Sequence, residues 1–192
     1  MTTFSSETDI PMLHKKALFL DRDGVININH GYVYQIDKFE FIDGIFELCK
    51  KARDKGYQII IVTNQSGIAR GYYSEKTFKQ LTKWVEHQFW KKGIKITHTF
   101  HCPHHPKYSH PCCCRKPRPG MLTKASRYFR IDRSKSIMIG DSLSDMQAAR
   151  SVGIGRRLYL NHRLTKQKGQ FIPPDRHWYY QAGNLLHAKK LL

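Results

Sequence analysis

A chain of 192 residues, 40% of them hydrophobic, is long enough for one domain with its own core and too apolar to stay disordered. No apolar run approaches the ~20 residues that a bilayer span needs, and the polar stretch from Met1 to Lys16 has no apolar signal-peptide core, so a cytoplasmic protein is expected. The net charge of +18 is spread along the chain without a basic arm, which favours small anionic partners over nucleic acid.

In chain order, residues 1–14 read as a leader. Ala17-Leu18-Phe19-Leu20 is a short apolar run within a strand at 16–21, and it stops at Asp21-Arg22-Asp23-Gly24. Residues i and i+2 of an extended chain face the same way, so Asp21 and Asp23 would address one site past the strand's carboxyl end, where open α/β sheets hold ligands. Crowded carboxylates there call for a cation or a shared proton; an Asp-Gly turn with two solvated acids is the plainer alternative. Gly24 to Phe41 reads as loop and hairpin, placed to cover that site. Asp43 is the expected cap of a helix carrying Ile45, Leu48, Cys49 and Ala52 inward, closed by Gly56. Ile59-Ile60-Ile61-Val62 is a buried parallel strand ending in Thr63-Asn64-Gln65-Ser66-Gly67.

Ser74 caps a helix with Phe78, Leu81, Val85 and Phe89 on its core stripe, ended by Gly93. Ile94 to Phe100 alternates as a strand, and 101–118 is an irregular Pro/His/Cys loop. A helix is expected from about Gly120 to Arg130 with Met121, Leu122, Ala125, Tyr128 and Phe129 inward. Ser136 to Gly140 is a strand ending in Asp141-Ser142, Asp145 to Ser151 is helical, and Arg157 to Leu160 is a last core strand. From Asn161 the pattern degrades; Pro173-Pro174 interrupt it, and Leu185 to Leu192 forms a short final helix. The alternation predicts a single α/β domain, a three-layer sandwich on a mainly parallel, Rossmann-like sheet, with 161–192 as an extension and no large cap domain.

Three strands thus end in polar residues, Asp21-Arg22-Asp23, Thr63-Asn64 and Gly140-Asp141, while Arg115-Lys116-Pro117 precedes a helix. Carboxylates for a divalent cation, a spare carboxylate, a hydroxyl and a fixed positive charge make a set suited to phosphoryl transfer with Mg²⁺. The ordered set resembles the haloacid dehalogenase-like phosphatase superfamily over roughly residues 16–160. The resemblance implies that Asp21 is the nucleophile and Asp23 the general acid and base. It implies that Thr63 and Lys116 hold the phosphoryl group, that Asp21, the backbone carbonyl of Asp23 and Asp141 hold Mg²⁺, and that Asp145 supports them.

Four of five cysteines cluster in one loop: Cys102-Pro103-His104-His105-Pro106, then Cys112-Cys113-Cys114. Soft ligands spaced i, i+2 on either side of a short loop favour tetrahedral Zn²⁺, with Cys102, His104, Cys112 and Cys114 preferred and Cys113, His105 and His110 as competitors. Such an ion would order a loop with little core and position Arg115-Lys116. The C-x-H-H-P and C-x-C-R-K-P arrangement is similar to the D-glycero-D-manno-heptose-1,7-bisphosphate 7-phosphatase family, with histidinol-phosphate phosphatases as relatives. That resemblance implies an enzyme acting on a small sugar bisphosphate in the supply of lipopolysaccharide core precursor ADP-heptose; a monomer is expected, since the sequence suggests no large apolar patch. The resemblance also implies substrate contacts from Asn29, His30, Gly31, Tyr32, Thr63, Asn64, Gln65, Ser66, Arg115 and Lys116. Ser142 stands where that family would have a basic residue. The alternatives are a histidinol-phosphate phosphatase, a nucleic-acid end phosphatase, and a zinc-stabilised binding module without catalysis.

Overall fold

The computed structural model describes residues 14–166, 171–172 and 178–192. Its strands are β1 (Lys16–Leu20), β2 (Tyr57–Asn64), β3 (Ile96–Cys102), β4 (Ile137–Gly140), β5 (Arg156–Leu160), β6 (Phe171–Ile172) and β7 (Tyr180–Ala182). Its helices are α1 (Ile45–Asp54), α2 (Glu75–Lys91), α3 (Gly120–Tyr128), α4 (Leu143–Ser151) and α5 (Leu185–Ala188). One sheet runs β3-β2-β1-β4-β5-β7-β6. Every pairing in it is parallel except that of β6 with β7.

Strand alternation sorts the core into two layers. Leu18, Leu20, Ile59 and Ile61 pack with α1, α2 and α5 on one face, and Ala17, Phe19, Ile60 and Val62 pack with α3 and α4 on the other. Central strands buried on both faces explain the near-continuous apolar runs. Because β1, β2 and β4 are parallel neighbours, their carboxyl ends bring Asp21, Thr63 and Asp141 to one edge of the sheet.

The predicted helix cap at Ser74 is present, its side chain accepting from the Thr77 N–H at 3.1 Å. Asp43 is not a cap: Gly44 holds that position with φ 86°. A Cβ at Gly44 would make ordinary contact with Leu185 and Leu186 of α5, so it is the left-handed backbone that favours glycine there. Tyr128 is 76% exposed rather than inward. The helix ends there, and Phe129 turns in against His98 and Phe100 instead. β3 starts two residues later than expected and runs on to Cys102, so the Cys/His loop begins at a strand end. The 24–41 hairpin is confirmed in outline by the Ile28-to-Glu40 and Ile42-to-Ile26 backbone bonds. The proposed leader, residues 1–13 of it, and Pro173-Pro174 lie outside the described residues.

The expected final helix divides into α5 and a 3₁₀ turn over Lys189–Leu191. Strands β6 and β7 were not anticipated; at two and three residues they are too short to leave a periodic signal. Leu185 and Leu191 are buried in the α1 layer. Leu185→Ala should therefore cost about 2–5 kcal/mol in chemical denaturation, whereas Leu186→Ala, at a side chain 58% exposed, should stay within about 0.5 kcal/mol.

Candidate active site at the carboxyl edge of the sheet

After Leu20 the chain leaves the extended conformation. The N–H groups of Val25, Ile26 and Asn27 all donate to the Arg22 carbonyl, and Gly24 takes φ 81°. Simple strand alternation therefore does not carry through Asp23, but tertiary bonds bring it to the same site. Asp23 Oδ1 accepts from Arg22 and from Asn27 Nδ2 (3.0 Å), and Oδ2 accepts from Arg22 and from Gln65 Nε2 (3.0 Å). The same Gln65 nitrogen lies 2.8 Å from Thr63 Oγ1.

Lys116 is the centre of the buried charge. Its Nζ donates to the Val62 carbonyl at 2.7 Å and lies 3.0 Å from Asp21 Oδ2 and 2.5 Å from Asp145 Oδ1. Asp21 Oδ1 accepts from the Arg22 N–H at 2.7 Å. Asn64 does not face outward; it pairs with the Lys116 backbone in both directions, at 3.0 and 3.1 Å. The sequence motifs gave Asp145 only a supporting role, yet it is fully buried beside the nucleophile candidate. Ser142 caps α4, with Asp145 reciprocating to the Ser142 N–H, so the hydroxyl where a basic residue was expected is engaged with Asp145.

Asp21, Asp141 and Asp145 each offer an oxygen within 4.8 Å of the others. The Asp23 carboxylate is not part of that cluster. One ammonium among three crowded carboxylates leaves a deficit of positive charge. Burial raises the Asp21 pKa to about 8 despite Lys116 beside it, with Asp145 and Asp141 adding to the rise. Burial, then Asp145, raises Asp141 to about 6. Burial opposes the charge on Lys116, but Asp145 and Asp21 outweigh it and hold the ammonium above its ordinary range. Two glycines make the crowding possible: a Cβ at Gly24 would fall 1.9 Å from Asp141 Oδ2, and one at Gly140 would fall 2.3 Å from Asp145 Cβ. Acid oxygens, charge deficit and glycine cradle together fit a hard divalent cation.

Three loops touch to form the rim. Asn29, His30, Gly31 and Tyr32 are exposed, with Asn29 Oδ1 accepting from the Gly31 N–H and His30 beside Glu40. Tyr32 meets Tyr72 edge to face, with ring centroids 4.7 Å apart. Arg70 lies over the Tyr108 ring at 4.9 Å and donates to His105 Nε2 at 2.9 Å. Arg115 donates to the His104 carbonyl at 3.1 Å. Ser66 is half-buried at the base of this rim, whereas Gln65 is buried and all of its side-chain bonds are internal. Arg70 and Tyr73 were missed by sequence reading because neither belongs to a strand-end motif.

In the Cys/His loop, Cys102, His104, Cys112 and Cys114 converge, and the competitors do not join them. Neighbouring ligand atoms are 3.5 Å (Cys102–His104), 3.6 Å (Cys102–Cys112), 3.4 Å (His104–Cys114) and 2.9 Å (Cys102–Cys114) apart. A tetrahedron with metal–sulfur bonds of about 2.3 Å has edges of about 3.8 Å, so a small expansion admits an ion. The Cys113 carbonyl accepts from the Gly120 N–H at 3.0 Å, which ties the loop to the start of α3.

A family model described as a haloacid dehalogenase-like hydrolase matches residues 8–153. The chain is 52% identical over 157 residues to the D-glycero-alpha-D-manno-heptose-1,7-bisphosphate 7-phosphatase of Campylobacter jejuni, covering 82% of this chain and 88% of that protein. It is 50% identical over 147 residues to the D-glycero-beta-D-manno-heptose-1,7-bisphosphate 7-phosphatase of Photorhabdus laumondii, covering 74% and 78%. The crystal structure of D,D-heptose 1,7-bisphosphate phosphatase from B. bronchiseptica, complexed with magnesium and phosphate, aligns with a TM-score of 0.76 at 28% identity, covering 91% of this chain and 96% of that one.

The raised carboxylates link protons, metal and stability. Asp21 titrates near 3.8 in the unfolded chain and at about 8 in the fold, so the fold holds the extra proton between those values and loses stability as pH rises through them. A divalent cation replaces that proton. Mg²⁺ should therefore raise the thermal midpoint more at about pH 8 than at about pH 6, and Asp141→Asn should shrink the difference. Equal gains at both pH values in calorimetry would contradict the linkage.

Proposed function

The chain belongs to the haloacid dehalogenase-like hydrolases, and from that premise we propose that it removes the 7-phosphate of D-glycero-D-manno-heptose 1,7-bisphosphate through a phosphoaspartyl intermediate. The observation that carries the chemistry is the buried Asp21–Lys116–Asp145 system beside Asp141 at the sheet's carboxyl edge. The names of relatives at about half identity over most of the chain support the substrate.

Asp21 attacks phosphorus and the bond to the sugar oxygen breaks. That oxygen takes a proton from Asp23. Asp23, now an anion, takes a proton from water as the water oxygen attacks the phosphoaspartate, releasing inorganic phosphate and restoring Asp21. Lys116 and the Thr63 hydroxyl stabilise the phosphoryl oxygens. Asp21, Asp141 and the Asp23 carbonyl would hold Mg²⁺, which when bound supplies the positive charge that lets two anions approach. Cys102, His104, Cys112 and Cys114 would hold Zn²⁺, whose part is to fix the loop that carries Arg115 and Lys116.

The rim supports a substrate with a second phosphate. Loss of water contact, then the cations Arg70, Arg115 and Lys107, keep His105 below its ordinary pKa. Arg70 and Arg115 are suited to grip the distal phosphate. They supply the basic groups that Ser142 does not. Asn29 to Tyr32 and Ser66 line the approach.

Phosphate release with Mg²⁺ on both anomers of the heptose bisphosphate, histidinol phosphate and a 3′-phosphorylated oligonucleotide tests this reading. A preference of about a hundredfold or more in kcat/KM for one heptose anomer is expected; preference for histidinol phosphate or the oligonucleotide would overturn the substrate. Asp21→Asn should lower kcat by at least about 10³-fold. A soft-donor chelator should remove one zinc and lower activity, with restoration by Zn²⁺ and not by added Mg²⁺; full activity in a zinc-free protein would remove the ion's positioning part.

A further inference from the structure

Gln65 and Tyr73 are buried polar residues next to the proposed acid–base and the proposed phosphoryl-binding hydroxyl, and no step above uses them. The Tyr73 hydroxyl donates to Gln65 Oε1 at 2.6 Å. Gln65 Nε2 in turn donates to Asp23 Oδ2 at 3.0 Å and to Thr63 Oγ1 at 2.8 Å. The chain Tyr73–Gln65–Asp23/Thr63 is thus continuous, and Gln65 is only 2% exposed.

The direction of these bonds is set by chemistry. A primary amide has a donor end and an acceptor end, and the two look alike in shape. Both Asp23 oxygens accept from the obligate donor Arg22, which sets this carboxyl group as the acceptor toward Gln65, so the NH₂ end faces Asp23. A flipped amide would set its oxygen against the Asp23 oxygens, whereas the Thr63 hydroxyl can meet either end. The tyrosine hydroxyl is what makes the flip costly from the other side, because it offers a proton to the oxygen end. Burial first, then Asp23 and Tyr32 against the opposing Arg22, pushes the Tyr73 pKa up to about 12, so the hydroxyl keeps that proton.

The fold also makes room for this tyrosine. A Cβ on Gly67 would lie 2.2 Å from Tyr73 Cε1, so the absence of a side chain there admits the ring. Tyr34 stacks on its other side with centroids 5.0 Å apart. The ring is fixed by packing, and its oxygen is fixed on Gln65.

We propose that Tyr73 is a positioning residue for phosphoryl transfer, acting through the orientation of the Gln65 amide. The oriented amide holds the Asp23 carboxylate where it serves the leaving oxygen and then the water. It also occupies a lone pair of Thr63, which leaves the threonine's own proton for a phosphoryl oxygen. Gln65 is accordingly a bracket between the two and not a substrate contact of its side chain. This inference rests on the phosphatase reading of the site.

The test is a double-mutant cycle in kcat and KM on the full chain with Mg²⁺. Tyr73→Phe keeps the ring, its stack and the space beside Gly67, and removes only the hydroxyl. It should lower kcat about tenfold and leave KM within about twofold. Gln65→Met should lower kcat by a similar or larger factor. In the Gln65→Met background, Tyr73→Phe should have no further effect on kcat, because its route to the reacting groups is already gone. Wild-type kcat in Tyr73→Phe or in Gln65→Met would overturn the proposal. So would a Tyr73→Phe loss that persists undiminished in the Gln65→Met background. If the first variant fails to fold, Gln65→Met alone still decides. Failure of the underlying reading is separate: the wild-type chain would then release no phosphate from any monoester.

Discussion

A single ammonium group, that of Lys116, holds the catalytic edge together. Burying such a charge alone costs on the order of several kcal/mol, and the structure offsets that cost with three partners drawn from three elements. They are Asp21 after β1, the Val62 carbonyl in β2, and Asp145 in α4. The lysine comes from the loop between β3 and α3, and Asn64 at the end of β2 fixes its backbone. Asp21 and Asp145 thus meet Lys116 directly, while Asp23 and Thr63 are joined to each other through Gln65. Gly140 follows from the same crowding, because Asp145 lies against its backbone, and Gly24 likewise makes room for the neighbouring Asp141.

Much of this was legible in the sequence because the signals are local. Apolar runs of strand length ending in Asp, Thr-Asn and Gly-Asp mark the carboxyl ends of parallel strands, and parallel strands share an edge by topology. The Cys/His cluster was equally plain, since the i, i+2 spacing picks out Cys102, His104, Cys112 and Cys114, and the fold brings these four together. What the sequence hid are bonds between residues whose types carry no signature. Asp145 enters the sequence reading only as a supporting acid, whereas in the fold its carboxylate both completes the cap at Ser142 and meets Lys116. Gln65 and Tyr73 read as turn and loop. Asp43 reads as the cap of α1, but the chain turns through a left-handed Gly44 before the helix begins.

The rim is built differently from the floor. The floor is buried charge in a rigid frame of strands, whereas the rim is aromatic rings and arginines on three loops that lean on one another through Tyr32–Tyr72 and Arg70–Tyr108 contacts. The aromatic residues of α2 belong to neither. Phe78 and Phe89 are buried, and Trp84 packs on Phe39 and Phe41, so they form no stacking platform for bases. No helix among the described residues is long and apolar enough to cross a membrane.

The stitching of the last residues to the first half of the chain bears on how the protein is made. α5 lies over the start of α1, Lys51 Nζ donates to the Lys189 carbonyl at 2.8 Å, and Leu185 and Leu191 complete the layer that covers Leu18 and Leu20. β7 also covers the edge of β5, and His162 Nε2 lies 2.7 Å from the Gly24 carbonyl, next to the aspartate pair. During synthesis the first strand and its aspartates leave the ribosome long before the segment that seals them. Until residues 180–192 emerge, the nascent chain exposes an apolar layer and an open strand edge at once. Residues 180–192 thus close a surface through which the nascent chain is open to aggregation.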